Sequence, residues 1–300
     1  MSNHDSEPDI RIGFLGLGAM GFGMASNLLS KNGQLNIVAN RSREPVDALI
    51  KQGATEYDNY TELAKNSDVI LLCLPDSNIV EKVVCELKPN LRAGQILIDT
   101  GTSSLRSTAK LAEEMNEIGV RFAEAPLTGG IKQSELGELG ALVGASEDVF
   151  ELVKNVLSPC CASVQHFGVV GAGGRAKFAN NYMVFGIAAL VFEAFHIADV
   201  TGSDWSKLYD VVIRGSADSG VFRRVIGNAK DGDFGGYVFN VNGAVKDMTY
   251  ITEMNESLGL ASPMNKAVLD LFSRAQAEGY GDLLISELMR PEIRKERGGV

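Results

Sequence analysis

Ile10-Arg11-Ile12-Gly13-Phe14-Leu15-Gly16-Leu17-Gly18-Ala19-Met20-Gly21 is the stretch on which the fold turns. The run Ile10–Leu15 reads as a strand, and the chain after the glycines reads as a helix through about Leu29. Gly16 permits the tight turn between them, Gly18 lets backbone approach a pyrophosphate, and Gly21 allows close packing of helix on strand. Leu17, Ala19 and Met20 complete the loop. The helix N-terminus behind it presents free N–H groups and a positive dipole end to phosphates. A bare G-x-G-x-x-G is also compatible with an ordinary turn. The strand before it and the helix after it favour a dinucleotide site.

Working outward, short apolar runs alternate with helical stretches. Leu35–Ala39, Val69–Leu74 and Ile96–Asp99 read as further strands, with weaker ones at Arg121–Ala123, Ala141–Val143 and Val164–Phe167. Helices are predicted around Pro45–Gln52, Tyr60–Lys65, Ile79–Leu87 and Leu105–Ile118. Such alternation predicts an α/β fold, a doubly wound parallel sheet with helices on both faces. After Gly168–Gly174 the pattern changes to a long apolar helix, about Arg175–Val200, followed by mostly helical sequence. The expected organisation is a tail over residues 1–9, a Rossmann-type domain over 10–168, and an all-helical domain over 169–300 for substrate binding and assembly.

The end of the second predicted strand bears on cofactor choice. NAD sites place an acidic residue there on the ribose hydroxyls, whereas this chain has Asn40-Arg41-Ser42. No carboxylate repels a 2′-phosphate, Arg41 can pair with one, and Asn40 and Ser42 can donate hydrogen bonds. NADP(H) is therefore expected over NAD(H), against the plainer reading that Arg41 stacks on adenine or points to solvent. Leu74 and Pro75, at the end of another strand, are expected to offer backbone contacts to the same cofactor.

Candidate chemistry narrows by elimination. No tyrosine is followed four residues later by lysine, and the histidines and cysteines make no catalytic zinc set, so no metal is expected. Lys177 follows Gly168-x-x-Gly171-x-Gly173, and Asn181 lies one helical turn later on the same face. A lysine partly buried beside a cofactor can serve as acid and base, and an amide beside it can hold a substrate oxygen. On spacing alone, a solvent-facing lysine is the competing reading. Thr128-Gly129-Gly130 joins a hydroxyl to two unhindered N–H groups, either a small anion site for a carboxylate or a simple turn. Thr102 ends a strand on the ligand side.

Bulk properties exclude other classes. The chain has 300 residues, 45% hydrophobic and 22% charged, which is ordinary globular composition. A net charge of -10 argues against broad binding to nucleic acid or to anionic membranes. Residues 1–9 lack the basic end and apolar core of a signal peptide, and Tyr182–Val200 carries Glu193, His196 and Asp199, so it is expected to be a buried helix. Cys73, Cys85, Cys160 and Cys161 match no metal or redox spacing, and a cytoplasmic setting is the expectation.

In combination these motifs resemble the β-hydroxyacid dehydrogenase family, which includes 3-hydroxyisobutyrate dehydrogenases and semialdehyde reductases. The resemblance runs through Gly13–Gly21, Met24, Ala25, Asn27-Leu28, Ala125-Pro126-Leu127-Thr128-Gly129-Gly130, the Gly168 to Asn181 segment, and Lys246-Asp247. It implies that Lys177 is the catalytic lysine, that Asn181 helps bind substrate, and that Thr128, Gly129 and Gly130 hold its carboxylate. Thr102 and Lys246 would border nicotinamide and substrate. It implies hydride transfer between the nicotinamide and a small β-hydroxyacid or its semialdehyde or keto acid. It also implies a homodimer or homotetramer built around the long helix. Three departures surround the substrate: Glu124 and Thr128 for the usual Asp and Ser, Gly101 in place of a serine, and Gln133-Ser134 for Gly-Ala. Two alternatives stand beside this. One is an imine reductase on the same scaffold, against which the retained Lys177 counts; the other is a cofactor-binding sensor or assembly module without catalysis.

Overall fold

A computed structural model describes residues 10–39 and 42–296. Asn40, Arg41 and the expected tail lie outside the described residues. The chain divides into two compact units, one ending at Lys177 and one beginning at Phe178.

In the first unit, nine strands among the described residues form one sheet. They are β1 (Ile12–Leu15), β2 (Asn36–Val38), β3 (Thr55–Tyr57), β4 (Val69–Leu72), β5 (Ile96–Asp99), β6 (Arg121–Glu124), β7 (Leu127–Thr128), β8 (Leu139–Gly144) and β9 (Cys161–Gly168). The helices between them are α1 (Ala19–Asn32), α2 (Arg43–Gln52), α3 (Tyr60–Lys65), α4 (Ser77–Leu87), α5 (Leu105–Glu117), α6 (Ile131–Leu136) and α7 (Glu147–Leu157). The order β3-β2-β1-β4-β5-β6 is parallel throughout, with Phe14 opposite Ile37 on one side and Leu71 on the other. The strand order reverses between β1 and β4. Ligands of doubly wound sheets bind at such a switch point, outside the strand C-termini.

Buried strands explain the continuous apolar runs. Ile12 and Phe14 of β1, Val69 and Leu71 of β4, and Ile96 and Ile98 of β5 face one core. Leu15, Ile70, Leu72 and Leu97 face the other. Alternate residues therefore serve opposite faces, and each fully buried Leu or Ile contributes roughly 1.5–3 kcal/mol. The helices α4 and α5 are capped by Asp76 and Ser104, whose side chains accept from Ile79 N (3.0 Å) and Ser107 N (3.2 Å).

Beyond β6 the sheet departs from the purely parallel expectation. β8 runs antiparallel to β6 and β7, and β9 then pairs parallel with β8. The cause lies in α6. It packs on α1, where Asn27 Nδ2 donates to Ser134 O (2.8 Å) and Ser134 Oγ donates to Met20 O (2.5 Å). Held there, α6 does not return the chain across the sheet as a crossover helix would.

The helix α8 (Ala172–Val200) leads into the second unit, which contains α9 (Trp205–Val212), α10 (Gly220–Ile226), α11 (Val241–Ser257), α12 (Pro263–Ala275) and α13 (Pro291–Glu296). Its core is aromatic: Phe185 meets Phe239 and Phe272, Phe192 meets Phe272, and Phe195 meets Trp205 and Phe222. The expectation that α8 is simply buried is corrected. It is long and apolar enough to cross a membrane by length and composition, and 39% of its most apolar window is buried. Met183, Leu190 and Ile197, seven residues apart, form an exposed stripe (57–62% exposed) on the face away from the phenylalanines.

Candidate active site

The glycine loop lies where β1 ends, beside the end of β4. Gly16 adopts φ +104°, and a Cβ there would lie 2.1 Å from Cys73 O. A Cβ on Gly21 would lie 1.8 Å from Gly16 O, so α1 can close onto the loop only with glycine there. Gly18 differs: nothing stands within 4 Å of its Cβ position. It is the N-cap of α1 and offers no side chain to the helix N–H groups, and the first turn carries no acidic residue. A tight turn, an open approach and an uncapped helix start together suit a dinucleotide pyrophosphate.

Leu74 is buried and Pro75 exposed at the end of β4. Ser42, exposed and extended, is the N-cap of α2 without using its hydroxyl as a cap. The neighbouring cation Arg43 is taken up by Glu56 and Asp47, both at 2.5 Å. Thr102 lies in the loop after β5, and that loop is shaped by buried Asp99, which sequence reasoning did not single out. Asp99 Oδ1 accepts from Gly101 N (2.9 Å) and Oδ2 from Ser103 Oγ (2.6 Å). Burial pushes the Cys73 thiol up to about 11, so it is protonated at neutral pH.

Lys177 is not turned to solvent: its Nζ donates to Leu127 O at 2.6 Å. That carbonyl immediately precedes Thr128-Gly129-Gly130, so the ammonium is fixed one residue from the candidate anion site. Gly129 adopts φ +108°, which brings its neighbours' backbone into a turn. The Gly130 N–H donates to Gln133 Oε1 (3.0 Å). Gln133 is one of the departures from the resembled family, and its side chain holds a donor that a carboxylate would otherwise use.

Behind Lys177 is Glu124, 3% exposed. Its Oε1 accepts from the N–H groups of Gly171 (2.6 Å), Gly173 (3.0 Å) and Gly174 (3.4 Å) at the start of α8. Burial pushes this carboxyl up to about 7, opposed by those backbone donors. The glycines answer separate needs: Gly171 has φ +92°, and a Cβ on Gly173 would stand 2.2 Å from Leu142 O.

In the second unit, Asn181 on α8 is 5% exposed and donates through Nδ2 to Asp247 Oδ2 at 2.6 Å. Asp247 is buried on α11, and Lys246 Nζ lies 3.0 Å from its Oδ1 and 5.3 Å from the centre of the Tyr250 ring. Asp247 thus fixes both Asn181 and Lys246. The Lys-Asp pairing in the sequence was the available signal for it. Among the described residues no cluster of metal-ligating side chains occurs.

Residues 11–171 match the family of the NAD binding domain of 6-phosphogluconate dehydrogenase. Residues 171–291 match the NAD-binding family of NADP-dependent 3-hydroxyisobutyrate dehydrogenase. The chain is 32% identical over 280 residues to 2-(hydroxymethyl)glutarate dehydrogenase of Eubacterium barkeri, covering 92% of each. It is 29% identical over 287 residues to 2-hydroxy-3-oxopropionate reductase of Escherichia coli, covering 94% of this chain and 96% of that one. The fold is shared with 3-hydroxyisobutyrate dehydrogenase from Salmonella typhimurium, with TM-score 0.85 at 23% identity over 93% of this chain and 99% of that one. Two family matches meeting at the start of α8, with near full-length relatives, place the chain in the β-hydroxyacid dehydrogenase family as an NAD(P)-dependent dehydrogenase of the CH–OH class.

Proposed function

We propose that this enzyme transfers a hydride reversibly between NADP(H) and a small β-hydroxyacid or its semialdehyde or keto acid, with Lys177 as acid and base. The observation that carries this is the seat of Lys177 Nζ on Leu127 O, at 2.6 Å, one residue before Thr128-Gly129-Gly130. When bound, the nicotinamide supplies or accepts the hydride. Lys177 holds the substrate oxygen, donating a proton to it during carbonyl reduction and taking one from it during alcohol oxidation. Thr128 and Gly129 orient the carboxylate, and Asn181, held by Asp247, orients the oxygen. As the family resemblance implies, Thr102 and Lys246 would be the residues that hold the nicotinamide and substrate. The loop from Gly16 to Gly21 would hold the cofactor phosphates, and the backbone of Leu74 and Pro75 would hold the same cofactor.

Preference for NADP(H) rests on Asn40, Arg41 and Ser42 at the ribose. One assay tests activity and preference together. Oxidation of NADPH and of NADH is followed over short aldehydes and keto acids with and without a carboxylate, succinic semialdehyde among them, for wild type and Arg41→Ala. Wild type is expected to turn over carboxylate-bearing carbonyls with NADPH. Arg41→Ala is expected to weaken NADPH at least about tenfold while leaving NADH nearly unchanged. No turnover of any carboxylate-bearing carbonyl counts against the substrate class, and equal weakening of both cofactors counts against the role of Arg41.

The exposed stripe Met183, Leu190 and Ile197 supports a homo-oligomer that covers this face of α8. Sedimentation velocity is expected to give a dimer or tetramer, and Leu190→Glu to shift it toward a single chain. A wild-type protein that sediments as one chain removes that assembly.

A further inference from the structure

We propose that Glu124 is a positioning residue for the reaction, gathering the N–H groups of Gly171, just before α8, and of Gly173 and Gly174 in its first turn onto one carboxyl oxygen and so fixing where Lys177 sits. The inference rests on the role given to Lys177 above. An α-helix begins with N–H groups that have no partner within the helix. In α8 these belong to a glycine-rich stretch, the most permissive backbone available, so something outside the helix must define its start. Glu124 Oε1 does so through Gly171, Gly173 and Gly174.

Three residues further along the same chain segment, Leu127 O accepts from Lys177 Nζ. The stretch from Glu124 to Leu127 therefore grips α8 at two heights, at its start and at the lysine. It then continues directly into Thr128. Any slip of the helix start moves Nζ relative to Thr128 and Gly129, and a misplacement of about 1 Å can cost ~100-fold in rate. Gly173 makes the grip close, since its backbone lies against Leu142 O of β8.

The chemistry also identifies which feature of Glu124 matters. Oε1 takes all three N–H groups, whereas buried Oε2 meets no side-chain or backbone donor within hydrogen-bond geometry among the described residues. A proton on Oε2 leaves Oε1 free to accept, so the grip needs an acceptor oxygen and not a charge. An amide in place of the carboxyl keeps that oxygen; a thioether of similar length removes it.

The test uses Glu124→Gln, Glu124→Met and Lys177→Ala in the full chain, with the fastest carbonyl of the panel above and NADPH. Glu124→Met is expected to lower kcat at least about tenfold, with KM and the NADPH Kd within about threefold of wild type. Glu124→Gln is expected to recover most of that loss. Glu124→Met with wild-type kcat and only a lower Tm overturns the proposal, as does an equal loss of kcat in both variants. Where Glu124→Met does not fold, amide exchange in Glu124→Gln decides. Protected Gly171, Gly173 and Gly174 amides with recovered kcat support the grip, and recovered kcat with those amides exchanging freely overturns it. Lys177→Ala separates the two levels. If it still turns over, the role of Lys177 fails first; if it is inactive and Glu124→Met is normal, only the role of Glu124 fails.

Discussion

Lys177→Ala is expected to lower kcat by about 10²–10⁴-fold while NADPH binds within about twofold of wild type. The size follows from what the side chain does. A positioned acid or base contributes that much when the proton it moves belongs to the reacting oxygen, and Lys177 Nζ is the amine seated on Leu127 O. The cofactor affinity follows from separate placement, because the glycine loop between β1 and α1 is built without Lys177. Lys177→Arg is the informative companion. It keeps the positive charge and a donor, yet a guanidinium does not release its proton near neutral pH. If charge alone stabilised the oxygen, arginine would restore much of the rate. With proton transfer as the role of Lys177, arginine leaves kcat depressed at least about tenfold. Unchanged turnover in Lys177→Ala, measured by steady-state NADPH oxidation, would sink the mechanism.

Legibility in the sequence followed the range of the interactions. β1, β4 and β5 were readable because strands buried on both faces are short continuous apolar runs, and Ile12–Leu15, Val69–Leu72 and Ile96–Asp99 are entirely buried. β3 was not, since Thr55-Glu56-Tyr57 is an edge strand of polar and half-exposed residues with no apolar run to mark it. α7 did leave a signal that went unused: Ser146, then Glu147 and Asp148 in the first turn, then buried Val149, Val153 and Val156 at helical spacing. α6 and β7 depend on contacts with α1 and β8, which no local pattern states. The site divides the same way. Lys177 was singled out from a spaced motif, but its bond to Leu127 O spans fifty residues of chain. Glu124 showed only as an unusual residue beside Ala125-Pro126, because burial and the three N–H groups from α8 are tertiary facts. Asp99 was hidden for the same reason: it acts by holding Gly101 and Ser103, and only the fold shows that. Asp247 was marked by the Lys246-Asp247 pair, but its bond to Asn181 was not. Asn40 and Arg41 lie outside the described residues, so their part in cofactor choice rests on composition at the end of β2.

The glycine loop makes the other large prediction, because its three glycines should fail in two different ways. Gly16→Ala puts a methyl 2.1 Å from Cys73 O at φ +104°, and Gly21→Ala puts one 1.8 Å from Gly16 O. Both contacts are with backbone, which cannot rotate away, so β1, β4 and α1 must part to accommodate them. Each substitution is expected to cost about 3 kcal/mol or more, a fall in Tm on the order of 10 °C for a domain of this size. Gly18→Ala meets nothing within 4 Å and has an ordinary negative φ, so Tm should stay within about 2 °C of wild type. Its methyl would nevertheless stand at the uncapped start of α1, in the space through which a pyrophosphate approaches the backbone. NADPH and NADH affinity should therefore fall together, by at least about tenfold. That joint loss distinguishes Gly18 from Arg41, whose replacement should weaken NADPH alone. Thermal melts and fluorescence titrations of the three variants suffice. A Gly18→Ala protein that melts normally and binds both cofactors at wild-type affinity would mean that the pyrophosphate does not lie on this loop, whatever its glycine spacing suggests.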